Sequence, residues 1–578
     1  VCYYTNKEGG DDEAAEMVRK LANAAFVLPI RSSRHSDRVL AAPRKLSRQR
    51  RPRALTLPSP PAPVKKKAST ARHSFDMAAE AVSGANYVAT PVQPRDADDS
   101  AYNREGYSKI EENDFRRVLE HPLSTFGVDV DTASYANVRR FLDSRRLPPK
   151  DAVRLEEMVN YFDYDYLQAE GDLPFSINTE VSRCPWNRKR RLIRVGLQGR
   201  TVSLDSMPPA NLVFLLDVSG SMSHPKKLPL LKKAFLVLLE KMRPVDRVAI
   251  AVYAGSAGLK LPSTSCTSEG KKKIKAALEG LRAGGSTAGG AGIKLAYNVA
   301  LANMSAESNN RVVLATDGDF NVGVSSDSAL TRLIENRRNK GVFLTVLGLG
   351  SGNYQDAKME QLADKGNGNY GYIDKLEEAK KVLGAEVSGT LLTIAKDVKI
   401  QIEFNPQKVK AYRLLGYENR LLAKEDFNDD KKDAGDIGAG HSVTALYEVI
   451  PAGGGELGHP KVDALKYQKS QITEEAADSG ELMTVKLRYK EPEGERSKLI
   501  VRAVEDSDKG FDSSSMNTRW AAMVAEFAML LRDSKHKGRS SIDQVLEFAQ
   551  QAVGEDPNAY RKGFLQLVRK AEPLLERR

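Results

Sequence analysis

Between Asn211 and about Lys380, short unbroken apolar runs alternate with segments of helical period, and this alternation restricts the fold more than any other feature of the chain. Leu212 to Leu216, Val248 to Tyr253, Val312 to Ala315 and Val342 to Leu347 are too short for helices and show no polar alternation. Such runs suit strands buried on both faces of a mostly parallel sheet, with Tyr370 to Ile373 as a later strand. Leu228, Leu231, Phe235, Leu238 and Met242 recur at three and four residues, so the segment between the first two strands is a helix with one apolar stripe to lay on the sheet. Parallel strands need helical crossovers, and the pattern predicts a doubly wound α/β domain over residues 207–390.

The flanks read differently. Phe175, Ile177, Thr179, Val181 and then Leu192, Arg194, Val195, Leu197 alternate with period two, predicting strands within residues 171–206. The same period returns over residues 391–508 in Val398 to Ile402, Val443 to Ile450, Met483 to Tyr489 and Leu499 to Val504. Each set is small for a core of its own, so the simplest arrangement is one β-sandwich-like domain with the α/β unit inserted in it. Residues 114–170 are expected to be helical. Asp131-Thr132 can cap a helix through Tyr135, Val138, Phe141 and Leu142, ended by Leu147-Pro148-Pro149. A second helix after Asp151 places Val153, Leu155, Met158, Val159 and Phe162 on an apolar face with Arg154, Glu156 and Glu157 outside. Residues 509–578 form a C-terminal helical region over Asn517 to Leu531, Ile542 to Val553 and Ala559 to Leu575, with Trp520 as core and Gly554 and Pro557 as punctuation.

The net charge of +12 is concentrated near the start of the chain. Residues 1–75 hold 16 Lys or Arg against 6 Asp or Glu, leaving 72 against 70 in the rest. No aromatic side chains are interleaved with Arg44-Lys45, Arg50-Arg51 or Lys65 to Lys67, so residues 1–113 read as a solvated basic tail and linker, with no specific nucleic-acid site. Met17 to Ile30 only faintly resembles an export signal, and no A-x-A cleavage site follows. No run reaches the ~18 to 20 apolar residues that a membrane-spanning helix needs. Cys2, Cys184 and Cys266 form no CxxC pair, which argues against a zinc ribbon or disulfide scaffold.

The first parallel strand ends in Asp217-Val218-Ser219-Gly220-Ser221-Met222, a carboxylate and two hydroxyls where α/β sheets bind ligands. Gly284-Gly285-Ser286-Thr287-Ala288-Gly289-Gly290 can bring the Thr287 hydroxyl close, since glycine permits close backbone approach, and a third strand end supplies Thr316-Asp317-Gly318-Asp319. Three hydroxyls and one or two carboxylates suit a hard cation, Mg²⁺ or Mn²⁺, with a position left for water or an incoming ligand.

Asp217, Ser219, Ser221, Thr287 and Asp317 fill the DxSxS, Thr and Asp positions of the von Willebrand factor type A domain and its metal-ion-dependent adhesion site, which this segment resembles. Phe126 to Tyr135 (FGVDVDTASY), Glu157 to Phe162 (EMVNYF) and the C-terminal stretch further resemble the bacterial YfbK-like subfamily, so the likeness runs over residues 114–578. The resemblance implies a Rossmann-like type A domain and a non-enzymatic, cation-dependent protein–protein binding function in adhesion or assembly. In that family a partner's Asp or Glu completes the metal shell, and the last helix of the domain can shift on binding. It further implies a cell-envelope or periplasmic location, although no lipobox is present. The alternative is an intracellular adaptor recruiting substrates to a MoxR-type AAA+ ATPase.

Other chemistries lack their parts. No GK[ST] follows Gly290, and none of the seven histidines lies in HExxH or G-x-S-x-G. A hydrolase using Asp217 and Asp317 would lack a third carboxylate or His to activate water. His224 reads as a solvated residue before Pro225 at a helix start, and Asp319 and Asn321 as turn-shaping residues that could form an outer shell.

Overall fold

The computed structural model describes residues 105–286, 289–305, 307–318, 327–352, 354–454 and 472–578. Residues 1–104, Thr287, Asp319 and Asn321 lie outside the described residues.

The α/β segment forms a six-stranded sheet in the order Tyr370–Ile373, Val342–Leu349, Asn309–Thr316, Ala210–Asp217, Arg247–Tyr253 and Ala257–Ser265, parallel except at the last strand. Alternation on the fully buried strand Ala210–Asp217 divides two cores. Leu212, Phe214 and Leu216 pack with Leu231, Phe235 and Leu238 of the helix Leu228–Lys241, whereas Val213 and Leu215 pack with Ile293 and Tyr297 of the helix Gly289–Ala302. Both faces are covered, so polar residues are excluded from the strand and its sequence reads as an unbroken apolar run. Phe214 and Phe235 sit 4.1 Å apart between ring centres, and Phe214→Ala would cost about 3–5 kcal/mol. The edge strand Ala257–Ser265 was not legible in the sequence, because it is only partly buried and carries Pro262.

Strands from both sides of this segment build two antiparallel sheets. One runs Arg116–Arg117, Val409–Leu415, Ser442–Pro451, Asn187–Gly199, Phe175–Cys184; the other runs Gly435–Gly438, Thr393–Phe404, Glu481–Lys490, Lys498–Glu505, with Leu123–Gly127 also paired to Thr393–Phe404. They share one core, in which Ile177 and Val195 of the first meet Ile400, Ile402 and Val485 of the second. The helices Met516–Arg532, Ile542–Gln551 and Tyr560–Leu575 match the expected C-terminal region and pack with Tyr135, Phe162, Leu192 and Leu446. Trp520 is fully buried among them. Among the described residues no helix is long and apolar enough to cross a membrane.

Several expectations need correction. Residues 105–113, assigned to the tail, are held in place: the Gly106 amide donates to the Tyr354 carbonyl at 2.9 Å, and the Asn113 amide donates to the Gly416 carbonyl at 2.8 Å. Backbone and amide contacts of this kind leave no apolar period to read. Residues 114–170 are not wholly helical, since Arg116–Arg117 and Leu123–Gly127 join the sheets, and those strands are too short to show alternation. The strands Val409–Leu415 and Gly435–Gly438 were also unread. Thr132 makes no side-chain cap for the helix Ala133–Asp143, and Asp131 instead accepts from the Tyr370 amide at 2.8 Å. Finally, Arg154, Glu156 and Glu157 are buried rather than outside. Periodicity identified the polar face of the helix Leu155–Asn160, but the helix Asp356–Lys365 covers that face with its own charged residues.

Candidate metal centre at the sheet switch point

From the central strand the chain moves first to Arg247–Tyr253 on one side and later to Asn309–Thr316 on the other. Helices diverge at such a reversal, leaving a crevice beyond the strand ends. Asp217 and Asp317 stand there, both fully buried, with Ser219 2% exposed and Ser221 at the exposed rim.

The Asp217 carboxylate is fixed from three sides. The Ser219 amide donates to Oδ1 at 2.8 Å, the Tyr253 hydroxyl donates to Oδ2 at 3.0 Å, and Thr316 donates to Oδ2 at 3.3 Å. Burial pushes this carboxyl up to about 6 and the nearby Asp317 charge adds to the rise, while the Ser219 and Tyr253 hydrogen bonds oppose it. The Ser219 and Ser221 hydroxyls lie 3.0 Å apart, brought together by the tight turn Gly220–Ser223. The second loop is docked on the first by backbone bonds, Gly220 amide to Gly285 carbonyl at 3.0 Å and Gly284 amide to Val218 carbonyl at 2.8 Å. Gly285 takes φ +84°, a conformation open to glycine at little cost. The structure therefore brings four of the five expected site residues to one crevice, and Thr287 lies outside the described residues.

Two participants were missed, Tyr253 and Lys227, and Thr316, read only as part of the third strand end, also holds Asp217. The Lys227 ammonium donates to Asp317 Oδ2 at 2.8 Å within the crevice. Its stem lies over Gly350, where φ is +77° and a Cβ would stand 2.3 Å from the Lys227 Cε. Nothing in the DxSxS spacing points to a lysine six residues beyond Ser221; only the path of the stem across another strand end brings it in. Tyr253 could be found in principle as the last residue of the neighbouring strand, in register with Asp217. His224 is exposed, as expected, and its Nδ1 accepts from the Lys226 amide.

The donors near Asp217 are all oxygen, two of them neutral hydroxyls, and a cationic ammonium already sits against Asp317. This set fits a hard divalent cation held by Asp217, Ser219, Ser221 and Asp317.

Comparison with known proteins places these features in a family. The family model for the von Willebrand factor type A domain matches residues 211–385, one described as von Willebrand factor matches 101–194, and one described as uncharacterized protein YfbK, C-terminal, matches 389–574. The uncharacterized protein YfbK of Escherichia coli (strain K12) is 42% identical over 473 residues, covering 81% of each chain. The human inter-alpha-trypsin inhibitor heavy chain H3 is 26% identical over 264 residues, 42% of this chain and 28% of that one. Among solved structures, a von Willebrand factor type A protein from Catenulispora acidiphila aligns over 70% of this chain and 92% of its own, at 15% identity and a TM-score of 0.39. With one relative this similar over four fifths of its length and a type A domain spanning the crevice, the chain belongs to the YfbK family of von Willebrand factor type A domain proteins.

Proposed function

We propose that the protein is a non-enzymatic, divalent-cation-dependent binding protein whose ligand is another protein presenting an Asp or Glu. The observation that carries this reading is the meeting of Asp217, Ser219, Ser221 and Asp317 at the switch point, with one wall of the crevice open at Ser221. A bound Mg²⁺ or Mn²⁺ would supply the electrophilic centre to which a partner carboxylate attaches. Asp217 would hold the cation on a carboxylate oriented by Ser219, Tyr253 and Thr316. Ser219 and Ser221 would add neutral oxygens, which leave positive charge unspent for an anionic partner. Asp317 would release Lys227 as the cation arrives, so the lysine is a built-in competitor.

The test is calorimetric titration of the full chain with Mg²⁺ and Mn²⁺, followed by affinity capture from a native extract in Mg²⁺, in EDTA, and with Asp217→Ala. Saturable heats that Asp217→Ala weakens about 100-fold or more, and a protein retained only by the parent in Mg²⁺, are expected. Unchanged heats in the variant, or the same proteins in all three captures, would refute the reading.

A further inference from the structure

The first described residues lie beside the crevice. The Gly106 amide donates to the Tyr354 carbonyl at 2.9 Å, and Gly106 pairs with Gln355 as a parallel bridge. Parallel partners run the same way, so the chain approaches Gly106 from the side of Gly352 and Gly350. Glu105 already follows that course, since its carboxylate accepts from the Gly352 amide at 2.8 Å. Arg140 holds the same carboxylate through two hydrogen bonds, at 3.0 and 2.9 Å, so this end of the chain is pinned where it stands.

That course leads to Asp317. Gly350 lies under the Lys227 stem, whose ammonium donates to Asp317, and Gly318 abuts Tyr354 and Gln355. Glu105 is thus about two chain spacings, on the order of 10 Å, from the Asp317 strand end. The sequence before Glu105 is poor in acid, with only Asp37, Asp76 and Glu80 between Met17 and Arg95, until Asp96-Ala97-Asp98-Asp99 places three carboxylates in four residues. Asp99 precedes Glu105 by six residues, which span up to about 20 Å, so a carboxylate there can reach the crevice with Glu105 in place. The rim complements it in charge: His224 and Lys226 are exposed beyond Ser221, and no acid follows Asp217 before Glu240.

We propose that Asp96, Asp98 and Asp99, which lie outside the described residues, form an internal ligand of the crevice: one of their carboxylates takes the cation's open coordination position until a partner's acid displaces it. The inference rests on the reading of the crevice as a cation site. A group tethered by a short linker acts at an effective concentration of about millimolar, so a single carboxylate too weak to bind from free solution competes for the ion when it is attached to Glu105. An external partner must outcompete it, and a lone Asp or Glu on a partner does not suffice. The partner's further contacts then decide which protein is bound.

The test uses the full chain stripped of metal, loaded with Fe²⁺ in place of Mg²⁺, and treated with ascorbate and hydrogen peroxide, which cut the backbone close to the ion. Fragments are mapped by mass spectrometry. Cuts next to Asp217 and within residues 96–99 are expected, both lost in Asp217→Ala, the second at a yield independent of protein concentration. The triple variant Asp96→Asn, Asp98→Asn, Asp99→Asn should keep the first cut, lose the second and bind Mg²⁺ about fivefold more weakly by calorimetry. A parent cut only next to Asp217, a second cut that fades on dilution and so comes from another copy, or unchanged Mg²⁺ affinity in the triple variant would each overturn the proposal. Absence of both cuts, with no Mg²⁺ heat that Asp217→Ala removes, would refute the cation reading of the crevice and this proposal with it, a result distinct from the other three.

Discussion

At Asp217 the donors come largely from one strand end and the turn after it, two are neutral hydroxyls, and the rim is open at Ser221. At the junction where the helix Asp356–Lys365 meets the N-terminal segment, Asp129, Glu157 and Glu360 come from segments more than 200 residues apart, every one is a carboxylate, and all three are buried. On the proposed function, the first arrangement would leave a bound cation with charge to spare for an external anion. The second is closed on itself, its carboxylates paired with the Arg154 and Arg420 guanidiniums. Two carboxylate-bearing clusters in one molecule thus differ in what they leave open, an exposed hydroxyl rim at the crevice and mutually paired charge at the junction.

The sharpest way to break this comparison is to remove a guanidinium from the junction. Arg154→Met leaves Glu157, Asp356 and Glu360 short of their shared cation, and a loss of about 3–5 kcal/mol in denaturant unfolding is expected. An unfolding midpoint unchanged in Arg154→Met would show that this network does not hold the junction together.

A buried acid with no ion pair among the described residues provides the contrast. Glu526, in the helix Met516–Arg532, is pushed up to about 8 by burial, against weaker hydrogen bonding from Ser541 and Ser540. Its folded pKa lies above the unfolded value, so between about pH 4.5 and 8 the folded state binds the extra proton and stability falls as pH rises. The loss is on the order of 3 kcal/mol across that window, and Glu526→Gln should remove this group's share of the slope in urea titrations at pH 5 and pH 8. A slope unchanged by the substitution would mean that Glu526 is ionised in the folded protein.

The smallest effect is expected at Lys227. Lys227→Met removes the ammonium from Asp317 and should tighten Mg²⁺ by about tenfold at low salt. Equal affinity in the variant and the parent would show that Lys227 does not compete for the crevice.

What could be read in advance divides along the same line. The strand ends at Asp217 and Asp317 were legible because unbroken apolar runs led into them, and the DxSxS spacing lies within five residues of one turn. The junction was not legible, and Arg154, Glu156 and Glu157 were placed on the wrong side of the protein surface. Helical period separates polar from apolar faces, but carries no information on whether a polar face meets water or another charged helix. Short edge elements such as Leu123–Gly127 were lost for a related reason, since five residues hold too few alternations to register.

By itself the sequence determined the local matters: which runs are buried strands, which residues end them, which oxygens share a turn, and where the C-terminal helices lie. Tertiary structure alone decided that Lys227 would meet Asp317, that Tyr253 would hold Asp217, and that six carboxylates would collect around Arg154 and Arg420. The physical reason is range. Periodicity and motif spacing report interactions a few residues apart, whereas the energetics of a buried charge depend on whatever the fold brings within a few ångströms, at any separation along the chain.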